Sequence, residues 1–334
     1  MNGKATAIAP ANIAFIKYWG TRDVERTLPY NPSLSMTLSR CVTRTTVEYI
    51  ADGGEDEISY REGDGRLTPA PDNFAQGVRR HLERLRSWAS VGGAFRVATE
   101  NSFPTGAGLA SSASGFAALT IAVVEALGRE VSSPELSVLA RLSGSGSAAR
   151  SVLGGYVEWP AGDDDQGGHA VAIAAADHWQ LEDLIAILDT EPKSISSRQG
   201  HRLATTSPYF APRLELLPSR LDRVRAAIQE KSFEQLAPVV EEEAIDLHLI
   251  AMSSNPPIFY WQPGTLTVLA TIRRLRSEGL AVCATMDAGA NVHTICLPED
   301  EERLAKELEA LPEVSTVIRD GVGKGPQTSE EHLF

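Results

Sequence analysis

The stretch PTGAGLASSASG at residues 104–115, running directly into the apolar segment FAALTIAVVEALG, decides how the rest of the chain is read. Gly106 and Gly108 admit positive φ and carry no Cβ to block an approaching anion, while Ser111, Ser112 and Ser114 add hydroxyls to the backbone amides. With a helix starting at its end, such a loop offers unpaired N–H groups and the positive end of the helix dipole to a polyphosphate. The same composition suits an ordinary glycine-serine loop capping a buried helix, since an isolated glycine pattern is weak. Other segments have to separate the two.

A chain of 334 residues exceeds the usual single core, so two domains or one enlarged domain are expected. Hydrophobic residues make up 43% and charged residues 22%, an ordinary globular balance. No apolar run reaches the roughly 20 residues that span a bilayer; the longest, after Gly115, is broken by Glu125. The opening MNGKATAIAP lacks the basic region, apolar core and cleavage site of a secretory signal, so no membrane association and a cytoplasmic location are expected.

Cys41, Cys283 and Cys296 have neither zinc-site pairing nor disulfide density, and read as reduced, buried, small hydrophobes. The seven histidines show no HExxH spacing and read as structural, so any metal should arrive with a nucleotide. A formal net charge of −13 argues against a nucleic-acid partner. It leaves room for a small anionic substrate, which needs only a few local cations and amides.

The first half alternates strand-like and helical signals. TAIAPANIAFIKYW, SLSMTLSR, TRTTVEYI and AFRVATENSFP read as strands, residues 73–89 as an amphipathic helix, and the segment after the glycine-serine loop as a long apolar helix. AGDDDQGGHA reads as a surface loop with a solvated acidic run. Beyond LIAILDT the chain carries several helices, then the strands AVCATMDAG and NVHTICLP, the helix ERLAKELEAL and the strand VSTVIRD. This pattern is α+β, with a boundary placed between residues 1–190 and 191–334, and the tail GVGKGPQTSEEHLF is expected to be partly loose.

Three further segments could carry chemistry. ANIAFIKYWGTRD puts Asn12, Lys17 and Arg22 beside a glycine, although a lysine there can simply snorkel outwards. SGSGSAARS offers Ser145, Gly146 and Ser147 as an anion nest, with Arg150 expected on a first helical turn, and SSR at residues 196–198 repeats the arrangement. One such loop is ordinary packing, whereas three in one chain favour a site for several anionic groups. Asp287, in TMDAGANVH at the end of a strand, is either a turn former or a general base; beside a cation such as Lys17 it would stay ionised and face a hydroxyl.

These segments together resemble a known family. PTGAGLASSASG is similar to the phosphate loop of the GHMP small-molecule kinases, and NIAFIKYWG, SGSGSAARSVLGGYVEW, SSRQG and MDAGANVH resemble the mevalonate diphosphate decarboxylase and phosphomevalonate decarboxylase branch. The resemblance runs along nearly the whole chain, including EEEAIDLHLIAMSSNPPIFYW. It implies a GHMP kinase fold, with an N-terminal domain of ribosomal-protein-S5-like type, a C-terminal ferredoxin-like domain and the site in the cleft between them.

The resemblance also implies a reaction: ATP phosphorylates the C3 hydroxyl of a phosphorylated mevalonate, phosphate leaves, and the carboxylate departs as carbon dioxide. Carried over by position, Asp287 is base or orienter, Lys17 holds the reacting centre, and Arg150 holds the carboxylate with Asn12 nearby. Tyr18, Ser145, Gly146, Ser147, Ser197 and Arg198 would bind the 5-phosphate end. Pro104, Gly106, Gly108, Leu109, Ala110, Ser111 and Ser112 would cradle ATP, with Mg²⁺ bridging its phosphates near Ser112. Homodimers are common in the family, but no interface is legible here.

One departure matters. Members acting on the 5-diphosphate typically read KYWGK, whereas this chain reads KYWGT, with Thr21 in place of the second lysine and Arg22 after it. Losing a charged hydrogen bond to a terminal phosphate costs roughly 1.5–3 kcal/mol. That leads narrowly to mevalonate 5-phosphate as the expected substrate. The alternatives are the 5-diphosphate with Arg22 or the serine nests compensating, a kinase that stops at the 3-phosphate, and a ligand-sensing protein without turnover.

Overall fold

The computed structural model describes residues 3–61, 65–104, 111–189 and 195–334. Its chain begins with β1 (Lys4–Ile16), β2 (Thr21–Asp23), β3 (Leu28–Pro29), β4 (Ser33–Ile50), β5 (Glu57–Arg61) and β6 (Leu67–Pro69). Then follow α1 (Asp72–Ala89), β7 (Ala94–Asn101), α2 (Ser111–Ala126), α3 (Ser133–Arg141), β8 (Tyr156–Trp159) and β9 (Val171–Ala174). The rest is β10 (Glu182–Ile187), α4 (Ser197–Leu203), α5 (Phe210–Glu230), α6 (Phe233–Ser253), α7 (Pro263–Ser277), β11 (Val282–Thr285), β12 (Val292–Cys296), α8 (Glu301–Glu309), β13 (Thr316–Gly321) and β14 (Gln327–Ser329). The architecture is mixed α+β in two lobes, as the sequence pattern implies.

The N-terminal lobe is built on β1 and β4, antiparallel neighbours in a sheet that runs β14-β1-β4-β7-β5-β6, with β8 and β9 added at the other end of β4. SLSMTLSR and TRTTVEYI form one 18-residue strand, not two. β1 is buried along almost its whole length because both its faces are covered. On one side Ala7, Ala9, Val47 and Phe95 pack against Ala118 and Ile121 of α2 and Leu82 of α1. On the other, Ile13, Phe15 and Met36 meet Leu217 and Val224 of α5 and Val240 of α6. Full burial of each such side chain contributes on the order of 1.5–3 kcal/mol. α2 is apolar all round because it lies inside the lobe, whereas α1 buries only Ala75, Val78, His81, Leu82, Leu85 and Ala89 and leaves Arg79, Arg80 and Arg84 outside.

The C-terminal lobe carries a four-stranded antiparallel sheet in the order β11-β12-β10-β13, backed by α7 and α8 through Ile272, Leu275 and Leu304. β10 lies ahead of the division expected at residue 190, yet it is hydrogen-bonded at the centre of this second sheet. The lobes are pinned together by the buried Asp320 of β13, whose carboxylate accepts the N–H groups of Ser39, Arg40 and Cys41 at 2.7, 2.9 and 2.7 Å. Among the described residues no helix is long and apolar enough to cross a membrane.

Two surface expectations change. The acidic run 163–165 is not merely solvated: Asp163 pairs with Arg22, and Asp165 with Arg26 and Arg141, because the β8–β9 loop folds back over basic side chains. The tail is not loose either: β14 pairs with β1, and Leu333 is buried. All three cysteines are free and buried, as expected.

Candidate active site

Lys17 directly follows β1 and Asp287 follows β11, so each catalytic candidate hangs from the end of a strand in a different lobe. Lys17 Nζ donates to Asp287 Oδ1 at 2.9 Å, with the lysine side chain 1% and the aspartate 28% exposed. Burial pulls Lys17 below its usual pKa, with Asp287 and Glu243 opposing. For Asp287 burial pushes upwards, but Lys17, His293 and Arg150 outweigh it and hold the carboxyl below its ordinary value. The pair is therefore an ionised carboxylate, open on one side to the cleft, beside a buried ammonium.

The backbone of Lys17 is itself clamped. Its N–H donates to Glu243 Oε2 at 3.1 Å, and its carbonyl accepts from Arg213 Nη2 at 2.8 Å and Asn31 Nδ2 at 2.9 Å. Arg213 and Arg220 each donate to Glu243 at 2.7 Å. Burial would raise the Glu243 carboxyl, yet Arg213 and Arg220 keep it lowered and ionised. In EEEAIDLHLI nothing local distinguishes Glu243 from its neighbours; only the fold turns it inward.

Arg150 is 2% exposed, and its hydrogen bonds go to neutral groups: Ser35 at 2.9 Å, Ser33 at 2.5 Å and Asn12 at 3.0 Å. Burial pushes its pKa down to about 10. One N–H on each terminal nitrogen has no protein partner among the described residues, so the fork is ready to receive a carboxylate. Asn12 sits behind it, bridging Arg150 to Ser147 and Ser151 rather than lining the cleft.

Ser145, Gly146 and Ser147 lie together as expected, but the segment opens a single 3₁₀ turn, Gly146–Ala149, instead of an α-helix. The chain has to enter β8 a few residues later, which leaves no length for one. Gly146 is required by close approach: a Cβ there would lie 2.6 Å from the Tyr18 ring and 2.7 Å from Trp159. Ser145 Oγ lies 3.2 Å from Ser112 Oγ, which joins this nest to the start of α2. Tyr18 is fixed between Trp159 and His201, and burial holds its phenol up at about 12, so it stays protonated.

All of this faces one cleft of about 620 Å³, which brings together Lys17, Tyr18, Ser111, Ser112, Ser145, Gly146, Ser147, Arg150, Ser197, Arg198 and Asp287. Pro104 is described but is not among its lining residues. Gly106, Gly108, Leu109 and Ala110 lie outside the described residues. Thr21 also lines the cleft, its Oγ1 2.5 Å from the Tyr18 hydroxyl. Arg22 does not: it is turned away onto Asp163 and the carbonyl of Gly162.

Sequence reasoning missed His201, Arg80, Arg84 and Arg202 in the lining. His201 Nδ1 accepts the Gly20 N–H at 3.0 Å, and burial lowers its pKa to about 3, so the ring is neutral with its proton on Nε2. The available signal was spacing: Ser197 and His201, and likewise Arg80 and Arg84, are four apart on one helix face.

Residues 9–172 match the family described as "Diphosphomevalonate decarboxylase-like N-terminal domain", and residues 183–329 match the "Mevalonate 5-diphosphate decarboxylase C-terminal domain". Diphosphomevalonate decarboxylase mvd1 of Aspergillus fumigatus is 34% identical over 391 aligned positions, covering 99% of this chain and 95% of the relative. The Saccharomyces cerevisiae diphosphomevalonate decarboxylase is 33% identical, with 99% and 96% covered. Among solved structures, mevalonate diphosphate decarboxylase from Staphylococcus aureus superposes with a TM-score of 0.91 at 31% identity, covering 99% of each chain. A structure described as "MDDEF in complex with MVAPP, AMPPCP and Magnesium" does so at 0.91 and 35%, covering 99% of this chain and 100% of that one. With two matched domains spanning nearly its full length and relatives above 30% identity along the same span, this chain belongs to the mevalonate diphosphate decarboxylase family of the GHMP kinase fold.

Proposed function

We propose that this chain is an ATP-dependent carboxy-lyase that converts mevalonate 5-diphosphate, ATP and Mg²⁺ being required, to isopentenyl diphosphate, ADP, phosphate and carbon dioxide. The observation that carries the reading is the Lys17–Asp287 pair facing the partly unoccupied hydrogen-bonding fork of Arg150 across one cleft. The 5-diphosphate is preferred over the monophosphate because the matched relatives are named for it, and because the cleft holds cations beyond those expected from sequence. We also place the enzyme in the cytoplasm, in keeping with its unpaired cysteines and its use of ATP.

The described residues fit the nucleotide. Ser111 and Ser112 open the 16-residue α2, no acidic residue occupies its first turn, and the Ser112 hydroxyl touches the substrate nest. When bound, ATP with Mg²⁺ supplies the phosphoryl group that makes the C3 oxygen a leaving group. The chain's own contribution is positional. Asp287 accepts the proton of the C3 hydroxyl, and the buried Lys17 keeps that carboxylate ionised and presents positive charge beside it. Arg150 holds the substrate carboxylate in the plane set by Ser33, Ser35 and Asn12. As the C3–O bond breaks, the electron pair of the C–carboxylate bond moves into the new double bond and carbon dioxide leaves.

Thr21 favours a second reading, mevalonate 5-phosphate, since it presents a hydroxyl where a lysine would meet the distal phosphate. Release of ADP and carbon dioxide from purified protein with each substrate separates the two. Equal ADP and carbon dioxide with the diphosphate preferred supports the main reading, and monophosphate preference replaces it. ADP without carbon dioxide would make the chain a kinase, and no turnover with either would remove the enzymatic reading.

A further inference from the structure

The described lining of the cleft holds six cationic side chains and one carboxylate, in a chain whose formal net charge is −13. Lys17 and Arg150 belong to the reacting centre. Arg80 and Arg84 of α1 and Arg198 and Arg202 of α4 gather instead at the mouth, and all four are exposed. None of the four has a carboxylate within ion-pair distance among the described residues. Their placement relative to the serine nest is specific. Arg84 donates to the carbonyl of Leu142, on the segment leading into the nest, and the Arg198 guanidinium lies against Gly144, where a Cβ would come within 2.9 Å of Nη2. Partial desolvation against the cleft wall, and then the neighbouring charges of Arg80, Arg202 and Arg84, lower the pKa of the otherwise exposed Arg198 guanidinium.

Like charges so gathered repel, and a multivalent anion between them relieves that repulsion. Arg22, the sequence's candidate to stand in for the missing lysine, is held by Asp163 outside the cleft. We propose that Arg80 and Arg84, reaching from α1 towards Arg198, hold the distal phosphate of the 5-diphosphate and so replace the cation that Thr21 lacks. This rests on the diphosphate reading above. It assigns to α1, a helix with no other part in the site, the discrimination between one and two phosphates.

The test is calorimetric binding of mevalonate 5-diphosphate and mevalonate 5-phosphate to the full chain without nucleotide, for wild type, Arg80→Gln and Arg80→Lys. Arg80 is exposed, so the variants should melt at the wild-type temperature. Arg80→Gln is expected to shift the ratio of the two dissociation constants at least tenfold towards the monophosphate, and Arg80→Lys to keep most of the wild-type ratio. An unchanged ratio overturns the assignment, as does equal weakening of both ligands or a loss confined to ATP affinity. Wild-type turnover of the monophosphate alone would overturn the substrate reading, while the binding ratio would still decide the role of Arg80.

Discussion

Glu243 in the C-terminal lobe accepts the backbone N–H of Lys17 at 3.1 Å, so the residue that orients the ammonium we propose as catalytic lies 226 positions away in sequence. The side chain of Lys17 points to Asp287 because its peptide cannot rotate away from Glu243, Arg213 and Asn31.

Glu243→Gln should therefore destabilise the protein strongly. It leaves Arg213 and Arg220 without their shared carboxylate, and breaking one side of a buried pair costs about 3–5 kcal/mol. Urea unfolding checks this; a loss under about 1 kcal/mol would mean that the clamp is not structural. Because the native carboxyl is lowered from 4.5, its stabilisation is fully present above that pH and is lost as pH falls through the lowered native value.

Asp287→Asn removes the proton acceptor while keeping shape and a hydrogen-bond partner for Lys17. Turnover should fall by roughly 10²- to 10⁴-fold, with ATP affinity nearly unchanged. Carbon dioxide release and nucleotide titration measure the two quantities, and near-normal turnover would end the assigned role.

Lys17 must be protonated to act, and burial draws its pKa below 10.5. The alkaline limb of kcat/KM should accordingly lie below 10.5, while the acid limb from Asp287 lies below 3.8. A pH profile at saturating ATP and Mg²⁺ tests this, and activity undiminished up to 10.5 would contradict it.

Thr21→Lys should leave the preference between diphosphate and monophosphate nearly unchanged, since Arg80 and Arg84 already hold the terminal phosphate; a phosphate lacking its cation would instead gain about tenfold or more, the worth of one charged hydrogen bond. Competition between the two substrates reads the change. A gain of that size would mean that the arginines at the mouth leave the terminal phosphate without a cation.

Much of the candidate site was legible as a cluster because residues suited to anions leave local marks. Lysine in an apolar strand end, serine-glycine nests and an aspartate in a glycine turn are each unusual within a few residues of context, and Lys17, Asp287, Arg150 and Ser145 all line one cleft. The supporting groups left no such mark. Glu243 is one of three consecutive glutamates, and Ser33 and Ser35 read as ordinary strand residues until Arg150 lies across them. The same limit applies to the fold: periodicity located β11, β12 and α8, but not the return of β14 to β1, which depends on a pairing more than 300 residues apart.

That last pairing bears on biogenesis. Among the described residues, Thr6, Ala7 and Ile8 of β1 find their outer neighbours in Ser329, Thr328 and Gln327 of β14. During synthesis the N-terminal sheet therefore waits with this border open until residues 327–329 have emerged from the ribosome. An unprotected strand border is a template for wrong intermolecular pairing, so nascent or truncated forms lacking β14 should depend on chaperones far more than the finished protein does.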